Sequence, residues 1–303
     1  MTDESGFSNL EGFAVIDKPT GLTSYSLLGK ASRKLGSKVK AGHAGTLDSF
    51  ASGVLVCLFG RYTRMSDIFM ATTKSYDAVI SFGVETDTLD PEGQAIARAP
   101  VPDLEALQAA LPAFMGKIMQ VPPVYSALHV DGERAYERVR KGQAVVLPPR
   151  PVTLHRLQLK SFEDGKALIS VDCSKGTYIR SLARDIALAC GSRGHLVALR
   201  RTAAGPFSIK DSVKLDELDA TMIRHMDAGL AMGLGLECRT LEGTEAKAFS
   251  NGLPMGRMPS FAGTPGSVSV AVFDTAGEFL GIAAPKPSPS VGWRYAFVLE
   301  QPR

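Results

Sequence analysis

One carboxylate in this sequence sits where chemistry could use it. Asp48 lies in Gly42-His43-Ala44-Gly45-Thr46-Leu47-Asp48-Ser49-Phe50-Ala51-Ser52-Gly53, which runs straight into the apolar segment Val54-Leu55-Val56-Cys57-Leu58-Phe59, closed by Gly60. The glycines permit sharp bends and close approach of another backbone or a ligand. The apolar run predicts a strand covered on both faces. Asp48 is therefore predicted at the junction of a bent loop and the core. Two readings of a carboxylate there are open: a turn former that bonds nearby amides, or a partly desolvated group available for chemistry.

Two more side chains occupy settings of the same kind. The segment Lys74-Ser75-Tyr76-Asp77-Ala78-Val79-Ile80-Ser81-Phe82-Gly83 puts Tyr76, Ala78, Ile80 and Phe82 on one side of a predicted strand. Tyr76 is either a half-buried aromatic that stabilises this face or a group presented to a site. Farther on, Thr177 is predicted to N-cap a helix with Ile179, Leu182 and Ile186 on its buried face and Gly191 at its end. Arg180 and Arg184, four apart, share another flank. An arginine in the first turn opposes the helix dipole, a small cost that a carboxylate or phosphate partner would offset; a solvated arginine is the alternative.

The stretch from about 120 to 150 reads as an excursion from the domain. Gln120-Val121-Pro122-Pro123-Val124-Tyr125-Ser126-Ala127 is predicted extended, because proline disfavours helix in the residue before it. Asp131-Gly132 signals a turn, followed by a basic helix with Arg134, Arg138, Arg140 and Lys141, and prolines at 148, 149 and 151 close the segment. With Tyr125 and Tyr136 interleaved, these cations suit phosphate pairing and base stacking. A charged surface hairpin is the other reading, since Asp131, Glu133 and Glu137 partly cancel the arginines.

The elements that must position these groups are legible in outline. Phe13 to Lys18 is a short strand stopped by Pro19, and a helix follows with Ser24 as N-cap, Leu27, Leu28, Ala31 and Leu35 on one face, and Gly36 at its end. Asp103 caps a helix with Leu104, Leu107 and Leu111, and Lys166 to Cys173 alternates as a strand. Beyond Asp211 a helical, Met- and Asp-rich stretch is expected. From Leu241 come a helix over 244–250, then hairpin grammar in Val268–Phe273 and Phe279–Ala283 around Asp274-Thr275-Ala276-Gly277, and a last strand over Tyr295–Leu299. The fold class is α+β.

Composition narrows the partners only a little. The 303 residues are 45% apolar and 21% charged with a net charge of +3, which is ordinary globular composition and leaves any RNA contact to local clusters. The four cysteines, Cys57, Cys173, Cys190 and Cys238, form no C-x-x-C pair and read as reduced core thiols of a cytosolic protein. No apolar run approaches the ~18 residues of a spanning helix, and the polar N-terminus has no signal-peptide core, so neither secretion nor membrane insertion is expected.

The Asp48 stretch resembles the G-H-x-G-x-L-D-x-x-A-(S/T)-G-(V/M)-L motif of the TruB-type tRNA pseudouridine synthases. Ala44 stands where Thr is usual and Ser49 where Pro is usual; neither change removes a reacting group, though losing the proline leaves the loop less rigid. Four more blocks match in order. Asp17-Lys18-Pro19-Thr20-Gly21-Leu22-Thr23-Ser24 is similar to the family's opening motif, and Lys74-Ser75-Tyr76 with the Gly83–Gly93 turn is similar to its K-x-Y block. Pro122 to Gly142 resembles its RNA-gripping insertion. Cys173-Ser174-Lys175-Gly176-Thr177-Tyr178-Ile179-Arg180 resembles its C-(S/T)-x-G-T-Y-(I/V)-R motif, continued through Gly194-His195-Leu196, Leu199-Arg200-Arg201-Thr202 and Gly205-Pro206-Phe207.

This resemblance, over roughly residues 13 to 207, implies a mixed, largely antiparallel sheet flanked by helices. It further implies a catalytic domain over 11–211 with the insertion at about 120–150, a helical linker over 212–240, and a small β-rich C-terminal unit of the PUA type over 241–303. The implied reaction is isomerisation of the T-loop uridine at position 55 of tRNA by base flipping, without metal or other cofactor, in the cytoplasm, by a monomer with no protein partner. Asp48 is implied as the catalytic carboxylate, Arg180 as its partner and Tyr76 as the stacking group. His43, Lys18, Tyr178 and Leu199 are implied at the substrate, and Arg134, Arg138, Arg140 and Lys141 at the RNA backbone. Two other readings stay open at this level: an RNA-binding or tRNA-folding module without chemistry, and an RNA-independent α+β enzyme using Asp48 as a general base.

Overall fold

The apolar run after Asp48 becomes the middle of the molecule. In the computed structural model, which describes residues 10–36, 40–126, 129–130, 133–134, 138, 146–288 and 290–299, Ser52–Phe59 is a strand with Val54 to Phe59 almost entirely shielded from solvent. Both faces are covered, as an unbroken apolar strand requires. Leu55, Cys57 and Phe59 pack with Leu27, Leu28 and Ala31 of the helix Ser24–Lys34. Val54, Val56 and Leu58 pack on the opposite side with Phe13, Val15, Tyr62, Met65 and Phe69. Each such buried side chain contributes roughly 1.5–3 kcal/mol.

Around that strand runs a ten-stranded mixed sheet. Its path is Val213–Lys214, Gly12–Lys18, Ser52–Phe59, Gly194–Ala204, Lys74–Phe82, Lys166–Cys173, Arg150–Glu163 and Gly116–Gln120, with Ala41–His43 attached to Ser52–Phe59 and Phe207–Ser208 to Gly194–Ala204. Two pairings are parallel, Gly12–Lys18 with Val213–Lys214 and Ser52–Phe59 with Gly194–Ala204; the other pairings in this sheet are antiparallel. The α+β class with a mixed, largely antiparallel sheet is thus the observed architecture. A further buried cluster joins Tyr76, Ala78, Ile80 and Phe82 to Ile179, Leu182, Ala183 and Ile186 of the helix Ile179–Ala189, so the side predicted for the Lys74–Phe82 strand is its core face.

Two predicted caps are differently used. Thr23, not Ser24, caps the first helix by accepting from the Ser26 amide. The Ile179–Ala189 helix has Tyr178 at its N-cap without a side-chain bond, while the Thr177 hydroxyl donates to the Ser174 carbonyl at 2.9 Å. In both places a small hydroxyl is taken by a tertiary or turn contact that local pattern does not encode.

The C-terminal region forms a second sheet, Glu237–Leu241, Val270–Asp274, Phe279–Pro285 and Trp293–Val298 in that order. Its faces serve two cores. Val270, Val272 and Ala283 pack with Phe249, Met255, Met258 and Phe261, whereas Ala271, Phe273, Phe279, Ile282 and Phe297 join the cluster that holds Phe13, Tyr62 and Phe207. The stretch 212–240, expected as helical, contains one six-residue α-helix, Ala228–Gly233, with short 3₁₀ turns and strands around it. Its Met226, Leu230, Ala231, Leu234 and Leu236 enter the same shared cluster.

Candidate active site

The loop bearing Asp48 is fixed by its neighbours on both sides. Leu47 and Ala51 are buried, which places the intervening Asp48 on the open side of a tight turn closed by the Ala51 amide on the Asp48 carbonyl at 3.2 Å. Ser24 grips Leu47 twice, its hydroxyl accepting from the Leu47 amide at 2.8 Å and donating to the Leu47 carbonyl at 2.9 Å. The Ser49 carbonyl accepts from the Gly21 amide at 2.8 Å and from Lys18 Nζ at 3.4 Å. These contacts supply the restraint that a proline at 49 would have given, and the Ser49 hydroxyl adds a bond to the Glu92 carboxylate.

Arg180 reaches that loop from the first turn of its helix. Its Nε lies 2.9 Å from Asp48 Oδ2, an ion-pair contact whose N–H is poorly aligned, and a terminal nitrogen donates to Asp48 Oδ1 at 3.2 Å. The other bonds of the guanidinium go to Asp90 Oδ2 at 3.3 Å, the Thr88 carbonyl at 2.8 Å and the Tyr125 carbonyl at 2.9 Å. The Arg180 and Asp90 side chains are only 6% and 7% exposed, whereas Asp48 keeps 36% of its side-chain surface open. Asp90 is further occupied by the Thr88 hydroxyl and the Glu92 amide, so Asp48 is the carboxylate of this cluster free to meet a substrate. Leu89, between Thr88 and Asp90, adopts a left-handed backbone with φ 61°, a conformation that costs about 1–3 kcal/mol for such a residue and is typical of functional sites.

Asp48 is half-buried and lines a cavity. Desolvation pushes its carboxyl above the ordinary carboxylate range, and Arg180 pulls it part of the way back. The cavity, about 1080 Å³, is lined by Asp48, Tyr76, Tyr178, Arg180 and Leu199 together, so five of the predicted side chains converge on one space. Burial raises the phenols of Tyr76 and Tyr178, which keeps both protonated near neutrality. Tyr178 is clamped at its backbone by Gln120, whose side-chain amide accepts from the Tyr178 N–H at 2.8 Å and donates to its carbonyl at 3.1 Å.

The remaining predicted residues are placed differently. Lys18 is fully buried and outside the cavity lining; its ammonium donates to the carbonyls of Pro19, Leu22 and Ser49, and burial brings its pKa down to about 8. It shapes the loop rather than facing the cavity. His43, half-buried on the strand Ala41–His43 opposite Cys57, is also outside the lining, and burial lowers its pKa. Arg134 belongs to a two-residue strand paired with His129–Val130, Arg138 is half-buried, and Arg140 and Lys141 lie outside the described residues.

Three residues that pattern reading passed over line the same cavity: Asp90, Lys74 and Arg201. Asp90 was hidden among turn formers. Lys74 is buried with its ammonium on the Met70 and Thr72 carbonyls, and burial takes it down to about 8. Arg201 carried a usable signal: two adjacent arginines on a core strand cannot both face solvent. Its backbone lies against Gly53, where φ is +106° and an added Cβ would stand 2.2 Å from the Arg201 carbonyl oxygen. Gly53→Ala is expected to destabilise the protein by about 3 kcal/mol, read as a lower urea midpoint.

Comparison with known proteins decides the family. Residues 33–179 match the TruB family pseudouridylate synthase (N terminal domain), and residues 180–238 match the tRNA pseudouridylate synthase B C-terminal domain. A tRNA pseudouridine synthase B of Bordetella avium is 48% identical over 215 residues, 70% of this chain and 88% of the relative. The chain belongs to the TruB family of pseudouridylate synthases. Another TruB relative, the tRNA pseudouridine synthase B of Aromatoleum aromaticum, is 41% identical over 275 residues, 90% of this chain and 88% of that one. The crystal structure of a Cbf5-Nop10-Gar1 complex contains a chain with TM-score 0.71 at 23% identity, covering 95% of this chain and 85% of that one, a likeness of fold. Within the TruB match the junction between the two matched parts falls between Ile179 and Arg180. Among the described residues no helix is long and apolar enough to cross a membrane.

Proposed function

We propose that this TruB-family synthase isomerises the T-loop uridine at position 55 of tRNA to pseudouridine, with Asp48 as the catalytic carboxylate. The observation that carries the reading is the Asp48–Arg180 pair opening into a cavity wide enough for a nucleotide that has left its stack. The naming of the relatives as tRNA pseudouridine synthases supports the substrate class.

The reaction breaks the bond from uracil N1 to ribose C1′, turns the base, and joins C5 to C1′; the hydrogen on C5 is lost to solvent and N1 gains one. An ionised carboxylate at the sugar or ring is the group that chemistry needs, and Arg180 orients it and favours its charged form. Tyr76 offers a flat face for the base and a protonated hydroxyl for proton transfer, with Leu199 and Tyr178 bounding the same space. Arg134, Arg138, Arg140 and Lys141 hold backbone phosphates, His43 sits at the RNA and helps hold the opened loop, and Lys18 shapes the site behind the base. The enzyme works as a cytoplasmic monomer.

Release of tritium from tRNA labelled at uridine C5 tests the reading; folded protein that binds the tRNA without release would overturn it. A pH profile adds a second check. If the ionised Asp48 is required, kcat/KM rises with pH through an acid limb lying above the ordinary aspartate value of 3.8, because burial raises that group. A limb at or below 3.8 would contradict the assignment.

A further inference from the structure

Arg201 is among the largest fully buried side chains of the molecule, at 2% exposure, and among the described residues it has no carboxylate at ion-pair distance. Its neighbour on the strand, Arg200, points the other way and is 41% exposed, pairing with Asp17 at 2.8 Å. A buried guanidinium without a counter-ion is costly, so its donors have to be satisfied in another way. Three backbone carbonyls do so: Val54 at 2.7 Å, Gly45 at 3.0 Å and Thr46 at 3.4 Å.

Those acceptors are not scattered. Gly45 and Thr46 are where the chain enters the Asp48 loop, and Val54 is where it leaves. One rigid, planar group thus spans both ends of the segment that carries Asp48, while the Arg201 backbone pairs with Gly53 and fixes the root of the side chain. We propose that Arg201 is a positioning residue for the isomerisation, its guanidinium stapling the two ends of the Asp48 loop so that the carboxylate is held against Arg180. This rests on the assignment of Asp48 above. Backbone carbonyls do not titrate, so the staple stays closed across the whole working pH range. Ser24 grips the loop at its middle; Arg201 secures its ends.

A staple and a mere positive charge make different demands. The Arg201 guanidinium also lies within hydrogen-bonding reach of Tyr76, and its charge acts on Tyr76, Lys74, His43 and Lys18; a lysine would preserve that charge. A lysine cannot reach across three carbonyls in fixed planar geometry. Arg201→Lys and Arg201→Met, each shown to be folded by circular dichroism, are compared with wild type in single-turnover tritium release at saturating tRNA. Both are expected to lose about 100-fold in rate, as a small misplacement of the reacting group can. Binding of tRNA stays within about threefold, since phosphate contacts dominate it. The acid limb of Arg201→Lys stays where wild type has it, and amide exchange over residues 44–51 speeds up at least about tenfold. An Arg201→Lys rate within about threefold of wild type, a loss traced to tRNA affinity, or unchanged exchange over 44–51 would overturn the staple.

Should neither variant fold, wild type itself carries the test. The Ala51 amide, which Ser24 does not hold, is expected to exchange as slowly as those of the strand Ser52–Phe59, and exchange about 100-fold faster there would show a loop that opens alone and overturn the proposal. The exchange arm reads the staple whatever the substrate is. Wild type that releases no tritium overturns the proposed function and, with it, the catalytic part of this inference, whereas release without coupling to Arg201 overturns this inference alone.

Discussion

Asp48→Asn is expected to lower the single-turnover rate by roughly 10⁴-fold or more while tRNA binding stays within about threefold. The amide keeps the shape of the side chain but can neither attack as an anion nor act as a base. The fold should survive, because the backbone at 48 is held by Leu47, Ala51 and the Ser24 bonds, none of which involves the carboxylate. Arg180 also retains Asp90 and the Thr88 and Tyr125 carbonyls. The measurement is tritium release with enzyme in excess over tRNA, together with a filter-binding titration. Residual turnover within tenfold of wild type would remove Asp48 from its role.

Arg180→Lys carries the second largest effect, a loss of about 100-fold or more in rate. A single guanidinium serves two carboxylates and two carbonyls from a buried position, and a point ammonium cannot meet all four in their directions. Arg180→Met separates the contributions. It leaves Asp90 buried without its cation, which costs about 3–5 kcal/mol in folding stability and is read as a shift of the urea midpoint. It also removes the strongest influence holding the Asp48 carboxyl down, so the acid limb of kcat/KM should move to higher pH than in wild type. Unchanged position of that limb in a folded Arg180→Met enzyme would show that the pair does not set the ionisation of Asp48.

Much of this was readable from local pattern because the decisive features are short in sequence. Val54 to Phe59 has to be buried on both faces whatever surrounds it, and the glycines at 45 and 53 mark backbone conformations of φ +100° and +106° that other residues resist. The alternation around Tyr76 announced a core face, and the helix over Ile179–Ala189 followed from its apolar spacing. Of the residues in the motif blocks, Asp48, Tyr76, Tyr178, Arg180 and Leu199 line one cavity, whereas Lys18 and His43 do not.

Tertiary structure decided the rest, for reasons of distance along the chain. Alternation says that Arg200 and Arg201 face opposite ways but not which faces inward; that depends on the parallel pairing of Gly194–Ala204 with Ser52–Phe59, about 150 residues earlier. Asp90 resembles any turn aspartate until Arg180 arrives from another part of the chain. Ser24 and Thr177 obey capping rules that hold only while no stronger acceptor or donor competes for the hydroxyl, and the fold supplies one to each. The C-terminal sheet looked like a separate unit because hairpins are local, yet Phe273, Phe279 and Phe297 complete the core that begins at Phe13. Which apolar face meets which is a matter of burying area between distant segments, and no spacing rule within either segment contains that information.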